Sequence, residues 1–157
     1  SGSSVLPPCQ GLYIHPRTSE VAVLSIGVVR ENPAACPLNT GYNFLANPYP
    51  MDLSPIEMGF DTSIVDGSGD PTQADQIYVW DGNTIPTSYS ESYNSYFFLE
   101  GFSVSHGVSD RWLDVGDNDI TNVQDTAKLF VRDRATFFYR NDPSCLESFV
   151  MPLVWSP

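Results

Sequence analysis

The sequence predicts an all-β fold, a sandwich or partly open barrel of about nine short strands, with one short capped helix near residues 54–58. Two observations carry this reading. Runs of β-branched and aromatic residues recur at short spacing, each closed by Gly, Pro, Asn, Asp or Ser. Beyond the one short helix, no segment has a convincing 3.6-residue apolar period, which sets aside the α+β alternative.

Taken in order, residues 1–10 (SGSSVLPPCQ) are a polar, then proline-rich lead-in. Residues 11–15 read as a strand, 16–19 as a turn, and 20–30 (EVAVLSIGVVR) as the strongest β-branched run in the chain. Residues 32–40 are expected to be a proline-punctuated loop carrying Cys36. A strand over 42–46 must stop at Asn47-Pro48-Tyr49-Pro50, where two prolines remove two backbone donors. Asn47 and Tyr49, each preceding a proline, are pushed to extended conformations. Ser54 as N-cap, Pro55 at the first helical position and Glu57 two positions on form a capping box, with Gly59 as the stop. Residues 61–73 read as a loop. Residues 74–80 alternate as a strand, and Asp81-Gly82 is a turn signal. Further strands are expected over 96–102, 109–114, 127–131, 135–140 and 146–155, with an acidic loop over 115–121.

Two regions follow: an N-terminal arm and hairpin over 1–40, and a β domain over 41–157. Segments 11–27 and 136–152 share a plan: an aromatic-rich strand, a basic or His residue, a Pro/Ser turn, then a second strand. On one reading the early hairpin completes a unit whose body lies elsewhere, in a tandem array or in another copy. On the other the likeness is chance. Val21, Val23, Leu24, Ile26 and Val28 are the candidate assembly residues of that arm.

At 157 residues, 41% hydrophobic and 13% aromatic, the chain is long and apolar enough for one packed core. No apolar run reaches the length of a membrane-spanning helix. The chain opens at Ser1 without Met or a signal peptide, so Ser1 is expected to be a processed end or a fragment boundary. With 19 Asp and Glu against 7 Lys and Arg, the net charge of −12 excludes nucleic acid and anionic lipid as partners. Such a surface suits a salty or extracellular setting, and calcium is the one partner it invites.

The loops DTSIVDGSGD, with Asp61, Asp66 and Asp70, and DVGDNDI, with Asp114, Asp117 and Asp119, offer hard oxygen ligands near glycine. Aspartate is equally an ordinary turn former, so calcium sites and solvated turns both stand. Cys9, Cys36 and Cys145 lie in loop-like settings without metal spacing. In a secreted chain a Cys36–Cys145 bridge is expected, leaving Cys9 free or bonded to another chain; the alternative is three reduced thiols. His15 and His106 are the only histidines, there is no GxSxG, and no two carboxylates pair across a cleft, so no catalytic residue is expected. Trp80, Trp112, Tyr89, Tyr93 and Tyr96 are candidates for stacking on sugar rings or on a neighbouring subunit, against the reading that their loop is partly buried.

Three segments in order, Gly41-Tyr42-Asn43-Phe44-Leu45-Ala46-Asn47-Pro48-Tyr49-Pro50, Ile77-Tyr78-Val79-Trp80-Asp81 and Ala135-Thr136-Phe137-Phe138-Tyr139-Arg140, resemble a pattern in β domains of secreted bacterial proteins. That pattern occurs in surface proteins of Bacteroidetes and in proteins of Verrucomicrobia and Planctomycetes. It departs here in having Ala135 where the pattern has glycine. The resemblance implies a secreted or cell-surface β domain and carries over no activity or catalytic residue. The expectation is a non-enzymatic extracellular structural or adhesive subunit that self-associates, into filaments by strand exchange. The alternative is a carbohydrate-binding module.

Overall fold

The computed structural model describes residues 11, 34–47, 49–61, 64–80, 93–100, 111–116, 128–131, 135–142 and 148–151. These contain seven strands: β1 (Ala34–Pro37), β2 (Gly41–Ala46), β3 (Gln76–Trp80), β4 (Tyr93–Leu99), β5 (Arg111–Asp114), β6 (Ala135–Arg140) and β7 (Ser148–Met151). Five form one sheet in the order β2-β6-β3-β4-β5, antiparallel at every junction, while β1 and β7 form a separate antiparallel pair. The described chain is all-β. No helix among the described residues is long and apolar enough to cross a membrane.

Alternation along the strands decides which face is covered. Leu45, Phe138, Ile77, Phe98 and Trp112 occupy one face and are buried. Loop residues close over them: Phe60 stacks on Phe130 at 5.3 Å and lies 4.8 Å from Phe138, and Phe98 packs 5.3 Å from Trp112. Ring pairs in this range add to the burial of the rings themselves. The Trp112 indole Nε1–H donates to the Phe60 carbonyl at 3.1 Å, so its polar atom is satisfied inside the core.

The proline corner is held by one side chain. Asn47 Nδ2 donates to the carbonyls of Met51 and Phe130, both at 2.7 Å, and its Oδ1 accepts the Tyr49 amide at 2.9 Å. Leu53 and Phe130 exchange backbone hydrogen bonds, each at 3.0 Å. A buried asparagine thus restores partners where the prolines remove donors. Gly41 has φ +87°. Beside it Asn43 closes the entry to β2, accepting the Asn39 amide and donating to the Asn39 carbonyl, both at 2.7 Å.

The expected helix at 54–58 is a single turn. Both of its end signals are present: the Ser54 amide donates to Glu57 Oε2 at 2.7 Å, and the Glu57 amide donates to Ser54 Oγ at 3.3 Å. At the other end Gly59 adopts φ +92°, its amide donates to Ile56 and the Phe60 amide donates to Pro55. This pair of bonds around a left-handed glycine is a Schellman closure. The start and stop motifs meet with no residues between them to extend the ladder. Lys128 adds an ion pair to Glu57, and with the Ser54 amide it holds that carboxyl below the usual range.

Two other expectations change. Residues 34–37, read as a loop, form β1 and pair with β7, and Cys36 and Leu38 are buried with the main core. The end of the expected arm is therefore integral to the β domain. Residues 128–131, read as part of a strand, are irregular apart from the Leu53–Phe130 bridge. The expected strands over 11–15 and 20–30 lie outside the described residues, Gly11 excepted.

Gly67 permits a close approach to Glu100. A Cβ there would meet Glu100 Cβ at 2.2 Å and the Glu100 nitrogen at 2.8 Å, because the Gly67 amide donates to Glu100 Oε2 at 3.0 Å. At Gly69 a Cβ meets nothing within 4 Å. Gly67→Ala is expected to destabilise by about 1–3 kcal/mol through overpacking, and Gly69→Ala to change stability by less than about 0.5 kcal/mol. Urea denaturation of the two variants checks the contrast.

Candidate functional site

The other face of the five-stranded sheet is unusual in its composition. Across β2, β6 and β3, and at the start of β4, the positions alternating with the core include Tyr42, Phe44, Phe137, Tyr139, Gln76, Tyr78, Trp80, Tyr93 and Ser95. Seven of these nine are aromatic and none is charged. Tyr42 is 67% exposed and Trp80 42%, while the others are half-buried against one another. The Tyr42 ring lies 4.9 Å from Tyr139 and 5.8 Å from Tyr78. Phe137 stacks on Phe44 at 4.6 Å and meets Tyr93 edge-on at 5.8 Å.

Register explains the grouping. Tyr42 faces Tyr139, Phe44 faces Phe137, and Tyr78 faces Phe137 from the other side, so directly opposed pairs merge into one surface. Polar atoms rim it. The Tyr78 hydroxyl donates to Gln76 Oε1 at 2.5 Å, and Gln76 Nε2 donates to the Pro71 carbonyl at 2.6 Å. Burial, with the Tyr42 and Tyr139 hydroxyls nearby, pushes the Tyr78 phenol up to about 12. Beyond Gln76 the face dips into an open recess of about 190 Å³ lined by Pro71, Gln76, Ser95, Tyr96, Phe97 and Val115. Past it the same face is covered, with Phe97, Leu99, Leu113 and Ala74 forming a second buried cluster.

The residues expected to stack on ligands are divided by this arrangement. Trp80 and Tyr93 belong to the aromatic face. Trp112 does not: it is fully buried, and a ring without exposed surface offers nothing to a ligand. Tyr96 points to the opposite side and packs against the main core, where burial, and then the Asp114 carboxylate, push its phenol up. Tyr89 lies outside the described residues. Tyr42, Phe44, Tyr78, Phe137 and Tyr139 were missed as site residues. The signal for them is period-two alternation within three strands whose faces the sequence leaves unassigned.

The acidic residues fall into three settings. Asp70 Oδ1 accepts the Thr72 amide at 2.9 Å and the Thr72 hydroxyl at 2.8 Å, which holds its carboxyl low, and Asp114 Oδ1 accepts the Gly116 amide at 2.8 Å. Asp66 lies near Asp142, Glu100 and Arg140. Asp117 and Asp119 lie outside the described residues. Among the described residues no group of three or more His, Cys, Asp or Glu is arranged to hold a metal ion. Cys36 is disulfide-bonded; Cys9 and Cys145 lie outside the described residues, as do Val21, Val23, Leu24, Ile26 and Val28.

The fourth acid of that neighbourhood is structural. Buried Asp75 accepts the Asp66 amide at 3.0 Å and the Asn141 amide at 2.8 Å, tying the 64–75 loop to the end of β6. Outside the carboxylate, the Asp75 carbonyl accepts the Phe98 amide at 3.2 Å, which fastens the same loop to β4.

One edge of the sheet is also informative. Among the described strands β2 has a single neighbour, β6, and the Gly11 amide donates to the Phe44 carbonyl of β2 at 2.8 Å. A residue far upstream therefore meets the backbone of the strand that carries Tyr42 and Phe44.

Burial, offset in part by those two amides and by Arg140, raises the Asp75 carboxyl. Burial, then Asp142 and Glu100, raises that of Asp66. For an acid raised above its unfolded value of about 3.9, the stabilising contribution is full below that value and is lost as pH rises through the folded value. Asp75→Asn removes this contribution. The parent's advantage in urea midpoint over Asp75→Asn is therefore expected to shrink as pH rises from about 4 toward neutrality. A constant or growing advantage contradicts the assignment. Comparison with family models, with curated proteins and with solved structures finds no match for this chain.

Proposed function

We propose that the chain is a non-enzymatic, extracellular structural or adhesive subunit that works by associating with further copies of itself. In this reading its N-terminal segment adds a strand to the β2 edge of a neighbouring copy, and the five-stranded sheet is one layer of a sandwich. The reading is supported by the hydrogen bond, made within one chain, from the Gly11 amide to the Phe44 carbonyl of β2, which has one neighbour among the described strands. An edge strand presents a row of backbone donors and acceptors, and an extended segment from the same or another chain satisfies them equally well. The strongest β-branched run, residues 20–30, lies in the same N-terminal region of the sequence.

The charge sets the conditions. Two bodies of net charge −12 repel at long range, so association through backbone pairing strengthens as salt screens them. Light scattering during size-exclusion chromatography over a range of protein and salt concentrations is expected to show species heavier than one chain, increasing with both. Gly11→Pro removes the donor to Phe44, and the loss of one hydrogen bond worth about 1 kcal/mol is expected to weaken association about fivefold. A single-chain mass at every concentration and salt level overturns the proposal.

A further inference from the structure

We infer that the aromatic face of the sheet, and not its edge, binds a neutral polysaccharide. This goes beyond the self-association reading and stands on a different surface. Three observations select the ligand.

The first is the density of rings. Tyr42 is two-thirds exposed above Tyr78 and Tyr139, and Trp80 is exposed at the end of β3. Flat apolar rings with polar tips match sugar rings, whose C–H faces are apolar and whose edges carry hydroxyls. A contiguous patch of such rings on a surface marks an interaction site.

The second is charge. The chain carries 19 acidic side chains and 7 basic ones, yet the nine named positions of the aromatic surface hold none. An anionic ligand is repelled by the net charge of −12, and a cationic one finds no carboxylate on the face to pair with. A neutral ligand meets none of these penalties.

The third is shape. The recess beside Gln76 and Ser95, at about 190 Å³, is smaller than the roughly 300–1,000 Å³ that enclose a small-molecule ligand. The aromatic positions span four adjacent strands, which at about 4.8 Å per strand is roughly 14 Å of surface. An extended chain of rings fits an open platform of that kind, with Gln76 and the Tyr78 hydroxyl at its polar rim.

The test uses the full chain. Binding is measured by depletion on insoluble cellulose and chitin and by titration of soluble neutral β-glucan and mannan, with alginate as the anionic control. Saturable binding to at least one neutral polymer, weak or absent on alginate, is expected, together with a shift in tryptophan emission as Trp80 is covered. Tyr42→Ala and Trp80→Ala are each expected to weaken binding five- to tenfold. Tyr42→Phe retains most of it, because the ring is kept. Ile56→Ala, at an exposed residue on the 54–59 turn, leaves it unchanged. Tyr42 is exposed enough for its truncation to leave no core cavity, and an unchanged urea midpoint verifies this. No saturable binding to any of the four neutral polymers, or binding indifferent to both Tyr42→Ala and Trp80→Ala, overturns the inference. So does a change of oligomeric mass in Tyr42→Ala without sugar binding, which assigns the face to a second copy. Gly11→Pro is expected to leave sugar binding intact, so failure of strand exchange and failure of the glycan site give different results.

Discussion

The sheet depends on where β6 is placed. Its residues Ala135–Arg140 lie between β2 and β3, so strands formed early in the chain have no common neighbour until this late segment enters between them. Asn43 and Phe138 are 95 residues apart, and the Asn43 side chain donates to the Phe138 carbonyl at 3.4 Å. Pairings this distant in sequence carry the loop-closure cost of all the chain between them. Within β6, moreover, Phe137, Phe138 and Tyr139 are consecutive aromatics, so hydrophobicity alone does not choose which face turns inward. A slip of one residue would reverse every side chain.

Polar residues make that choice. Thr136 and Arg140 share the inward face with Phe138 and are both buried. Thr136 Oγ1 donates to the Leu129 carbonyl at 3.0 Å, and Arg140 lies near the Asp75 and Asp66 carboxyls. Turned outward, Thr136 would leave the Leu129 carbonyl without this donor, and the acids would lose the cation that lowers their carboxyls. The Thr136 hydrogen bond and the placement of Arg140 beside two carboxyls thus favour this register. It leaves on the outside an aromatic surface at least as rich as the one inside.

This explains which parts were legible in advance. The strands at 41–46, 76–80, 111–114 and 135–140 could be read because their residue types and flanking turn formers agree. The capping box and the stop at Gly59 were also readable, since each is a contact among near neighbours. Their product was misjudged: a start signal and a stop signal one turn apart leave no room for a helix. β1 was hidden because Ala34-Ala35-Cys36-Pro37 has weak strand propensity and depends on pairing with β7, more than a hundred residues later. Trp112 is expected from the sequence as a candidate for stacking on a sugar ring or a neighbouring subunit. Nothing local reveals that Phe98 and the Phe60 carbonyl enclose it.

The aromatic face was the least legible part for a related reason. Tyr42, Tyr78 and Tyr139 are far apart in sequence, and each alone is an ordinary strand residue. Only the order β2-β6-β3 turns them into neighbours. Where local preference and global arrangement disagree, function is a common cause. Here the disagreement is specific: a chain with ample charge places none at the named positions of β2, β6, β3 and the start of β4 on this face, where Arg111 on β5 is the charged residue, although charged residues are the ordinary means of keeping such a face solvated. β2 is subject to two such demands. Its side chains Tyr42 and Phe44 contribute to the uncharged face, and the Phe44 carbonyl on its edge accepts the Gly11 amide. Backbone and side chains of one strand project in perpendicular directions. Edge pairing therefore leaves the rings where they are, and two kinds of association can use the same six residues without competing for the same atoms.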